Sequence, residues 1–202
     1  MGGQSGCIST LWTGKKRQSG RHFVPNLTIG APVVSSLREH TEAVLDCHLM
    51  VTNPEDYVGP LKDAGADIFT FHYEATEHAE KLCREIKDAG MKVGIALKPA
   101  TEPDEALHAL IDAGLVDMML VLTVEPGFGG RKFQSAVMPK VAALRKKYPQ
   151  LDVEVDGGVG PATIDEAARA GANVIVAGTA IFNAPDPSKV ISHLRTSVEN
   201  AA

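Results

Sequence analysis

The sequence predicts an α/β protein in which short strands of a parallel sheet alternate with helices. From residue 43 onward, six short apolar runs are separated by segments with a helical spacing of apolar residues. Four of those segments end on a glycine just ahead of the next strand, at Gly65, Gly90, Gly114 and Gly171. These glycines lie 25, 24 and 57 residues apart, and the last interval holds two units, so the spacing indicates a repeated strand–helix unit. Such repeats form parallel sheets with right-handed crossovers, either open or closed.

The predicted strands are apolar or β-branched throughout, as strands buried on both faces are. They cover residues 43–51, 68–73, 92–98, 118–123, Asp152–Asp156 and 173–177. Segments 75–89 and 161–170 have the helical spacing of Ala, Leu, Ile and charged residues. Prolines stand where helices begin, and the glycines suit the left-handed conformation that ends a helix.

The number of units limits the architecture. Residues 22–202 hold six strand–helix units in 181 positions, whereas a closed eight-unit barrel takes about 250 residues. A closed barrel would therefore lack its first two strands. Residues 1–21 differ from the rest, because no acidic residue precedes Glu39 and basic residues stand among Ser, Thr and Gly. They lack the amphipathic pattern of a transit peptide, and we predict a disordered leader ahead of a domain at 22–202.

Composition excludes several classes of protein. The chain has 202 residues, of which 44% are apolar and 22% charged, as in a globular domain rather than a disordered or fibrous chain. A net charge of −5 argues against a nucleic-acid partner. No apolar run approaches the roughly 18 residues of a membrane span. Three scattered cysteines fit no disulfide framework and favour a reducing, cytoplasmic location.

Two predicted strands carry polar groups where the chemistry of parallel sheets gathers, near their carboxyl ends. Asp46 and His48 share one face of the first of these strands because side chains alternate. A single histidine in an apolar strand is more often a core residue than a ligand, and an aspartate on the same face weakens that interpretation for His48. Asp156 ends another strand, where a buried carboxylate is costly without a partner or a metal. We predict a functional role for Asp156.

Glycine-rich loops follow the last three predicted strands. Such loops can point backbone N–H groups at an anion, and their position matches the phosphate sites of barrel enzymes. Together they predict a phosphate-binding cup, made of Gly127, Phe128, Gly129 and Gly130, of Gly157 and Gly158, and of Gly178 and Thr179. His72 also ends a strand, where we expect a capping or packing role.

Several motifs together resemble the ribulose-phosphate 3-epimerase family. They run through residues 22–202 in the family's order: His22-Phe23-Val24-Pro25-Asn26, Asp46-Cys47-His48-Leu49-Met50-Val51, Thr70-Phe71-His72, Thr123 to Gly130, Glu154 to Gly160, and Gly178-Thr179. The resemblance implies a ribulose-phosphate-binding (β/α)8 TIM barrel, here without its first two strands. It also implies a homo-oligomeric isomerase of the pentose phosphate pathway, which interconverts D-ribulose 5-phosphate and D-xylulose 5-phosphate.

The resemblance also implies roles for individual residues. In the family, two carboxylates exchange a proton at the C3 carbon, and a divalent metal (zinc, iron or manganese) stabilises the enediolate. His48 and Asp156 match two of the metal ligands, and Asp156 matches one acid/base. The residues matching substrate and phosphate contacts are His48, Gly127, Phe128, Gly129, Gly130, Asp156, Gly157, Gly158, Gly178 and Thr179.

One departure from the family bears on activity. The family has a His-x-Asp-Val-Met-Asp-Gly strand ahead of Phe-Val-Pro-Asn, and this strand supplies two metal ligands and the other acid/base. Here residues 15–21 stand in that place without a carboxylate. We therefore expect impaired turnover. The alternative is a non-catalytic protein that binds a phosphorylated sugar or a partner subunit.

Overall fold

The computed structural model describes residues 7–9, 30–127 and 131–201. Strands and helices alternate along the chain. The strands are β1 (Cys7–Ser9), β2 (Val44–Leu49), β3 (Ile68–His72), β4 (Lys92–Leu97), β5 (Met118–Leu122), β6 (Asp152–Asp156) and β7 (Val174–Val176). The helices are α1 (Ala31–Arg38), α2 (Val58–Ala64), α3 (Ala79–Asp88), α4 (Glu105–Asp112), α5 (Met138–Lys147), α6 (Ile164–Arg169), α7 (Thr179–Phe182) and α8 (Pro187–Ala201).

All six strands expected from the sequence are present, as β2 to β7, with ends up to two residues shorter than predicted. The addition is β1, which lies within residues 1–21, and which the sequence analysis assigned to the leader. The other residues of that segment lie outside the described part of the chain, so a disordered leader stays a prediction. In the described residues, no helix is both long and apolar enough to cross a membrane.

The chain divides into two compact units. The first contains β1 to β3, most of β4 and the helices α1 to α4, and the second contains β5 to β7 and α5 to α8. In the first unit, β2 pairs in parallel with β1 and β3, and His48 lies opposite Thr70. In the second, β6 pairs in parallel with β5 and β7, and Asp156 lies opposite both Leu122 and Val176. Within each unit the strands follow sequence order, so the predicted α/β class of parallel strand–helix repeats is confirmed.

Burial explains the apolar strand sequences. Every residue of β3 and of β5 is buried, as expected for parallel strands that are covered on both faces. The helices are amphipathic; α3, for example, buries Leu82, Cys83 and Ile86. Burial raises the pKa of the Cys83 thiol to about 12, so this cysteine behaves as an inert core residue.

The repeated glycines end their helices as the sequence predicts. Gly65, Gly90, Gly114 and Gly171 have φ values of 84°, 86°, 69° and 97°. After Gly65, the N–H of Ala66 donates to the carbonyl of Leu61 at 3.1 Å, and the other three sites have the same bond. This is the Schellman arrangement, which satisfies the last carbonyls of a helix and turns the chain toward the next strand.

A polar side chain just ahead of β3, β5 and β7 holds the preceding strand at its amino end. Asp67, Asp117 and Asn173 accept the backbone N–H of Leu45, Val93 and Val153 at 2.7, 2.8 and 2.7 Å. The same three residues donate their own backbone N–H groups to the carbonyls of those partners at 3.0, 2.9 and 3.1 Å. Each side chain thus acts as a clamp on the start of the preceding strand, which is β2 for Asp67, β4 for Asp117 and β6 for Asn173.

A basic side chain completes each of these three clamps, and it comes from the helix that precedes the clamped strand: α1 before β2, α3 before β4 and α5 before β6. Arg38 contacts Asp67, Lys87 donates to Asp117 at 3.0 Å, and Arg145 donates to Asn173 at 2.7 Å. The two arginines also bind the carbonyl of the helix-ending glycine and two carbonyls of the loop that follows their own helix. The repeat therefore comprises two strands and two helices, and it occurs three times in the described residues.

Candidate active site

Buried polar side chains occupy the carboxyl-terminal part of β2 and β3 in the first unit. His48 is fully buried, and Asp46 is 1% exposed. The Thr70 hydroxyl donates to Asp46 Oδ1 at 2.8 Å. A Cβ on Gly94 would lie 2.1 Å from the Thr70 hydroxyl oxygen, so only glycine leaves room for this bond. Asp46 and His48 are thus both buried and, by alternation, share one face of β2.

His48 contacts a second buried histidine. Its Nε2 lies 3.0 Å from Nε2 of His72, which ends β3, and the ring centroids are 4.9 Å apart. Nδ1 of His72 lies 3.2 Å from a carboxylate oxygen of Glu74. Burial, with the neighbouring His72 as a smaller cause, lowers the pKa of His48 well below its usual value. His48 is therefore neutral near pH 7, the form in which imidazole accepts a proton or a metal.

Sequence reasoning missed the His72–Glu74 arrangement. We expected His72 to cap or pack, and the structure gives it a specific partner on each ring nitrogen. The available signal was the period of two in His72-Tyr73-Glu74, directly after a buried strand. That spacing does not tell whether the carboxylate turns back toward the ring.

Asp156 is the last residue of β6, the strand that lies between β5 and β7 in the second unit. Asp156 is 7% exposed, and it pairs in register with Leu122 and Val176, the last residues of β5 and β7. The backbone carbonyl of Asp156 accepts the N–H of Thr123 at 2.8 Å and its hydroxyl at 3.0 Å. Thr123 therefore ties the loop after β5 to the end of β6.

The two glycines after β6 are required by their surroundings. Gly157 has φ 121° and Gly158 has φ 67°. A Cβ on Gly157 would meet Val124 at 2.6 Å, and one on Gly158 would meet the backbone nitrogen of Phe133 at 2.5 Å. The backbone after β6 thus packs closely against the loop after β5.

The glycine loops expected to form a cup are neighbours where they are described. Gly178 follows β7 and precedes α7, and a Cβ on Gly160 would lie 3.0 Å from Cβ of Ala180 in α7. The loops after β5, β6 and β7 therefore adjoin at the carboxyl ends of their strands. Gly127 has φ 138°. The predicted contact residues Phe128, Gly129 and Gly130 lie outside the described part of the chain.

The donors for a metal fit in kind but not in number. His48 and Asp156 are of types that bind divalent cations. Among residues 7–9, 30–127 and 131–201, no group of three or more His, Cys, Asp or Glu could hold a metal ion. A catalytic zinc site takes about three protein ligands. These two donors do not make a complete metal site by themselves.

Solved structures share this fold. The chain matches 3-hexulose-6-phosphate synthase from Salmonella typhimurium with a TM-score of 0.68 at 20% identity, over 85% of this chain and 81% of the other. It matches KGPDC from Streptococcus mutans with a TM-score of 0.63 at 16% identity, over 86% and 81%. At such identities the likeness concerns the fold alone. The parallel repeats and polar strand ends define an α/β protein of the TIM-barrel class.

The sequence places the chain within this class. Residues 19–182 match the profile of the Ribulose-phosphate 3 epimerase family, and the chain belongs to that family. It is 61% identical over 182 residues to the cytoplasmic isoform of ribulose-phosphate 3-epimerase from Oryza sativa subsp. japonica, covering 89% of this chain and 79% of the relative. The ribulose-phosphate 3-epimerase of Schizosaccharomyces pombe is 56% identical, with 89% and 78% covered. The predicted family and enzyme class are confirmed, and the family is metal-dependent in general.

Proposed function

We propose that this chain interconverts D-ribulose 5-phosphate and D-xylulose 5-phosphate, with Asp156 as an acid/base. The family match and the relatives named ribulose-phosphate 3-epimerase support the reaction. The observation that carries the role of Asp156 is its position, buried at the end of β6 and opposite the last residues of β5 and β7. It is a carboxylate at the strand edge where barrel enzymes hold their substrates.

The reaction inverts C3, which lies beside the C2 carbonyl of the sugar. Removing the C3 proton leaves an enediolate, and returning a proton to the opposite face gives the epimer. A carboxylate can carry one of these transfers, and a positioned acid/base contributes about 10²–10⁴-fold. Burial of Asp156 excludes bulk water from the proton that it holds.

The phosphate end of the substrate is assigned to the glycine loops. Gly127 to Gly130, Gly157 and Gly158, and Gly178 and Thr179 would direct backbone N–H groups at the phosphate oxygens. The contacts between the loops after β5 and β6, through Gly157 and Gly158, support this assignment because they hold the two loops together. His48 is proposed as a further contact to the substrate.

Three finer features belong to the same proposal. We assign the metal as zinc, iron or manganese, which supplies charge stabilisation to the enediolate when bound. His48 and Asp156 would be two of its ligands, and at least one further donor is required. We also propose a homo-oligomer in the cytoplasm, in line with the cytoplasmic isoform among the relatives.

The test is epimerisation by the purified chain. D-ribulose 5-phosphate is supplied with zinc or manganese, and D-xylulose 5-phosphate is measured together with deuterium incorporation at C3 in heavy water. Asp156→Asn is expected to lower kcat about 10²–10⁴-fold, since it removes the proton carrier and keeps the shape. Asp165→Asn, an exposed residue of α6, is the matched control and keeps the rate.

The outcomes separate the candidate functions. Equal rates for the wild type and Asp156→Asn would refute the role of Asp156. Tight binding of the phosphosugar by the wild type, without turnover or deuterium incorporation, would favour the non-catalytic alternative. Turnover within about tenfold of the Oryza sativa relative, a difference of about 1.4 kcal/mol, would contradict the impairment expected from the sequence.

A further inference from the structure

Three side chains in the first unit form a hydrogen-bonded series, Glu74–His72–His48. The two histidines are fully buried, and the Glu74 side chain is 19% exposed. The distances are 3.2 Å from the Glu74 carboxylate to His72 Nδ1 and 3.0 Å between the Nε2 atoms of the two rings. The proposed function assigns a role to His48 alone.

The carboxylate determines where the hydrogen of His72 sits. An ionised carboxylate only accepts hydrogen bonds, so Nδ1 of His72 must carry the hydrogen that is shared with Glu74. In a neutral imidazole the other nitrogen then carries a lone pair. Nε2 of His72 is therefore an acceptor and points at His48.

The acceptor on His72 in turn determines the hydrogen of His48. Two lone pairs 3.0 Å apart would repel each other, so Nε2 of His48 must donate. A neutral His48 has a single N–H, which leaves the lone pair on Nδ1. Both rings are fully buried, and a positive charge on either one is costly there even when it is paired with Glu74, so the proposal takes both rings as neutral. The lowered pKa of His48 agrees with this.

We propose that Glu74 is a positioning residue that acts through His72 to hold His48 in the tautomer with hydrogen on Nε2 and the lone pair on Nδ1. Nδ1 is then the nitrogen that His48 offers to a proton or a divalent cation. This consequence rests on the proposed function, whereas the tautomer itself does not. The hydrogen bond of one ring nitrogen commonly sets the chemistry of the other in this way.

The test reads the tautomer directly in the metal-free protein. Histidine is labelled with ¹⁵N, and long-range ¹H–¹⁵N correlations distinguish unprotonated from protonated ring nitrogens; His48→Gln assigns the signals. In the wild type we expect Nδ1 of His48 to be unprotonated and Nε2 protonated. Glu74→Leu removes the acceptor and is expected to shift both nitrogens of His48 toward intermediate values, as the tautomers mix.

Matched variants separate positioning from a general disturbance. Glu77→Leu removes an exposed carboxylate from the same loop and is expected to leave the His48 signals unchanged. Glu74→Gln keeps an acceptor oxygen and is expected to retain the wild-type tautomer. If Glu74 acts through His72, the double variant with both His72→Phe and Glu74→Leu has the same His48 chemical shifts as the single variant His72→Phe.

Three results would overturn the proposal. These are a wild-type His48 protonated on Nδ1, an unchanged His48 in Glu74→Leu, and additive shifts in the double variant. The amide spectrum of each variant shows whether it folds, and His72→Phe with Glu74 intact provides a second route should Glu74→Leu unfold. No substrate is needed, so failure of the epimerase assay leaves this test intact.

Discussion

Replacing Gly158 by alanine tests how closely the backbone after β6 packs against the loop after β5. Gly158 is exposed and has φ 67°, and its missing Cβ would lie 2.5 Å from the Phe133 nitrogen and 2.8 Å from the Arg131 carbonyl oxygen. Gly114 provides a matched control. It is also exposed, has φ 69°, and has no atom within 4 Å of the position of a Cβ.

The expected magnitudes follow from this match. Alanine in the left-handed region costs about 1–2 kcal/mol, and this applies to both sites. At Gly158 the new methyl also overlaps backbone atoms, and overpacking adds about 1–3 kcal/mol. We therefore expect Gly114→Ala to lower the free energy of unfolding by about 1–2 kcal/mol and Gly158→Ala by about 2–5 kcal/mol.

Urea unfolding followed by circular dichroism measures both variants, and the epimerase assay measures function. Gly158→Ala must displace residues 131–133, which continue the proposed phosphate loop, so kcat/KM is expected to fall. Gly114→Ala is expected to keep its activity because Gly114 lies at a helix end ahead of β5. Equal destabilisation by the two substitutions would refute the close packing, and unchanged kcat/KM in Gly158→Ala would refute its link to the phosphate loop.

Two further predictions concern the arginine of α5 that completes a clamp and a tyrosine that contacts the start of α4. Arg145→Met removes four hydrogen bonds of 2.7–2.8 Å and should lower the free energy of unfolding by about 2–4 kcal/mol. Urea unfolding measures this change. The control is Lys146→Met, a substitution of the exposed neighbouring residue, which should lower the free energy of unfolding far less. Tyr73→Phe removes the hydrogen bonds at 3.0 and 3.2 Å from the tyrosine hydroxyl to Asp104, the capping residue of α4. We expect it to lower the free energy of unfolding by about 0.5–1.5 kcal/mol. Burial and then Asp104 raise the pKa of Tyr73 from 10.0 to about 12, so this contribution is present below about pH 10 and is lost as the pH rises toward about 12. A stability gap between the wild type and Tyr73→Phe that stays constant over that range would contradict this account.

The sequence predicts the elements of the fold well because they depend on local patterns. The six apolar runs predict β2 to β7, since a strand covered on both faces needs no polar alternation. Glycine at 65, 90, 114 and 171 predicts helix ends, since a left-handed residue favours glycine. The strand β1 was not predicted, because Cys7–Ser9 is three residues long and pairs with a distant segment.

The polar contacts could be predicted only in part. Alternation along β2 and β6 indicates that His48 and Asp156 point to faces carrying another acid, and both are buried. Alternation cannot show that His72 meets His48 at 3.0 Å, because this distance depends on the register between β2 and β3. For the same reason, Asp67 looks like an ordinary loop residue until its bond to the Leu45 N–H is seen.

The two ends of the strands carry different tasks. Asp67, Asp117 and Asn173 bind the amino ends of β2, β4 and β6, whereas His48 and Asp156 lie toward the carboxyl ends of their strands. Substitutions at the clamps should therefore change stability while the folded fraction keeps its kinetics, as expected where barrel chemistry is confined to the carboxyl face. The clamp needs only a side-chain oxygen that accepts the backbone N–H of the preceding strand. Asparagine supplies this oxygen as well as aspartate does, and it occupies the clamp position at residue 173. Asp156 has no such freedom in the proposed role, since an amide cannot carry the proton that the epimerisation moves.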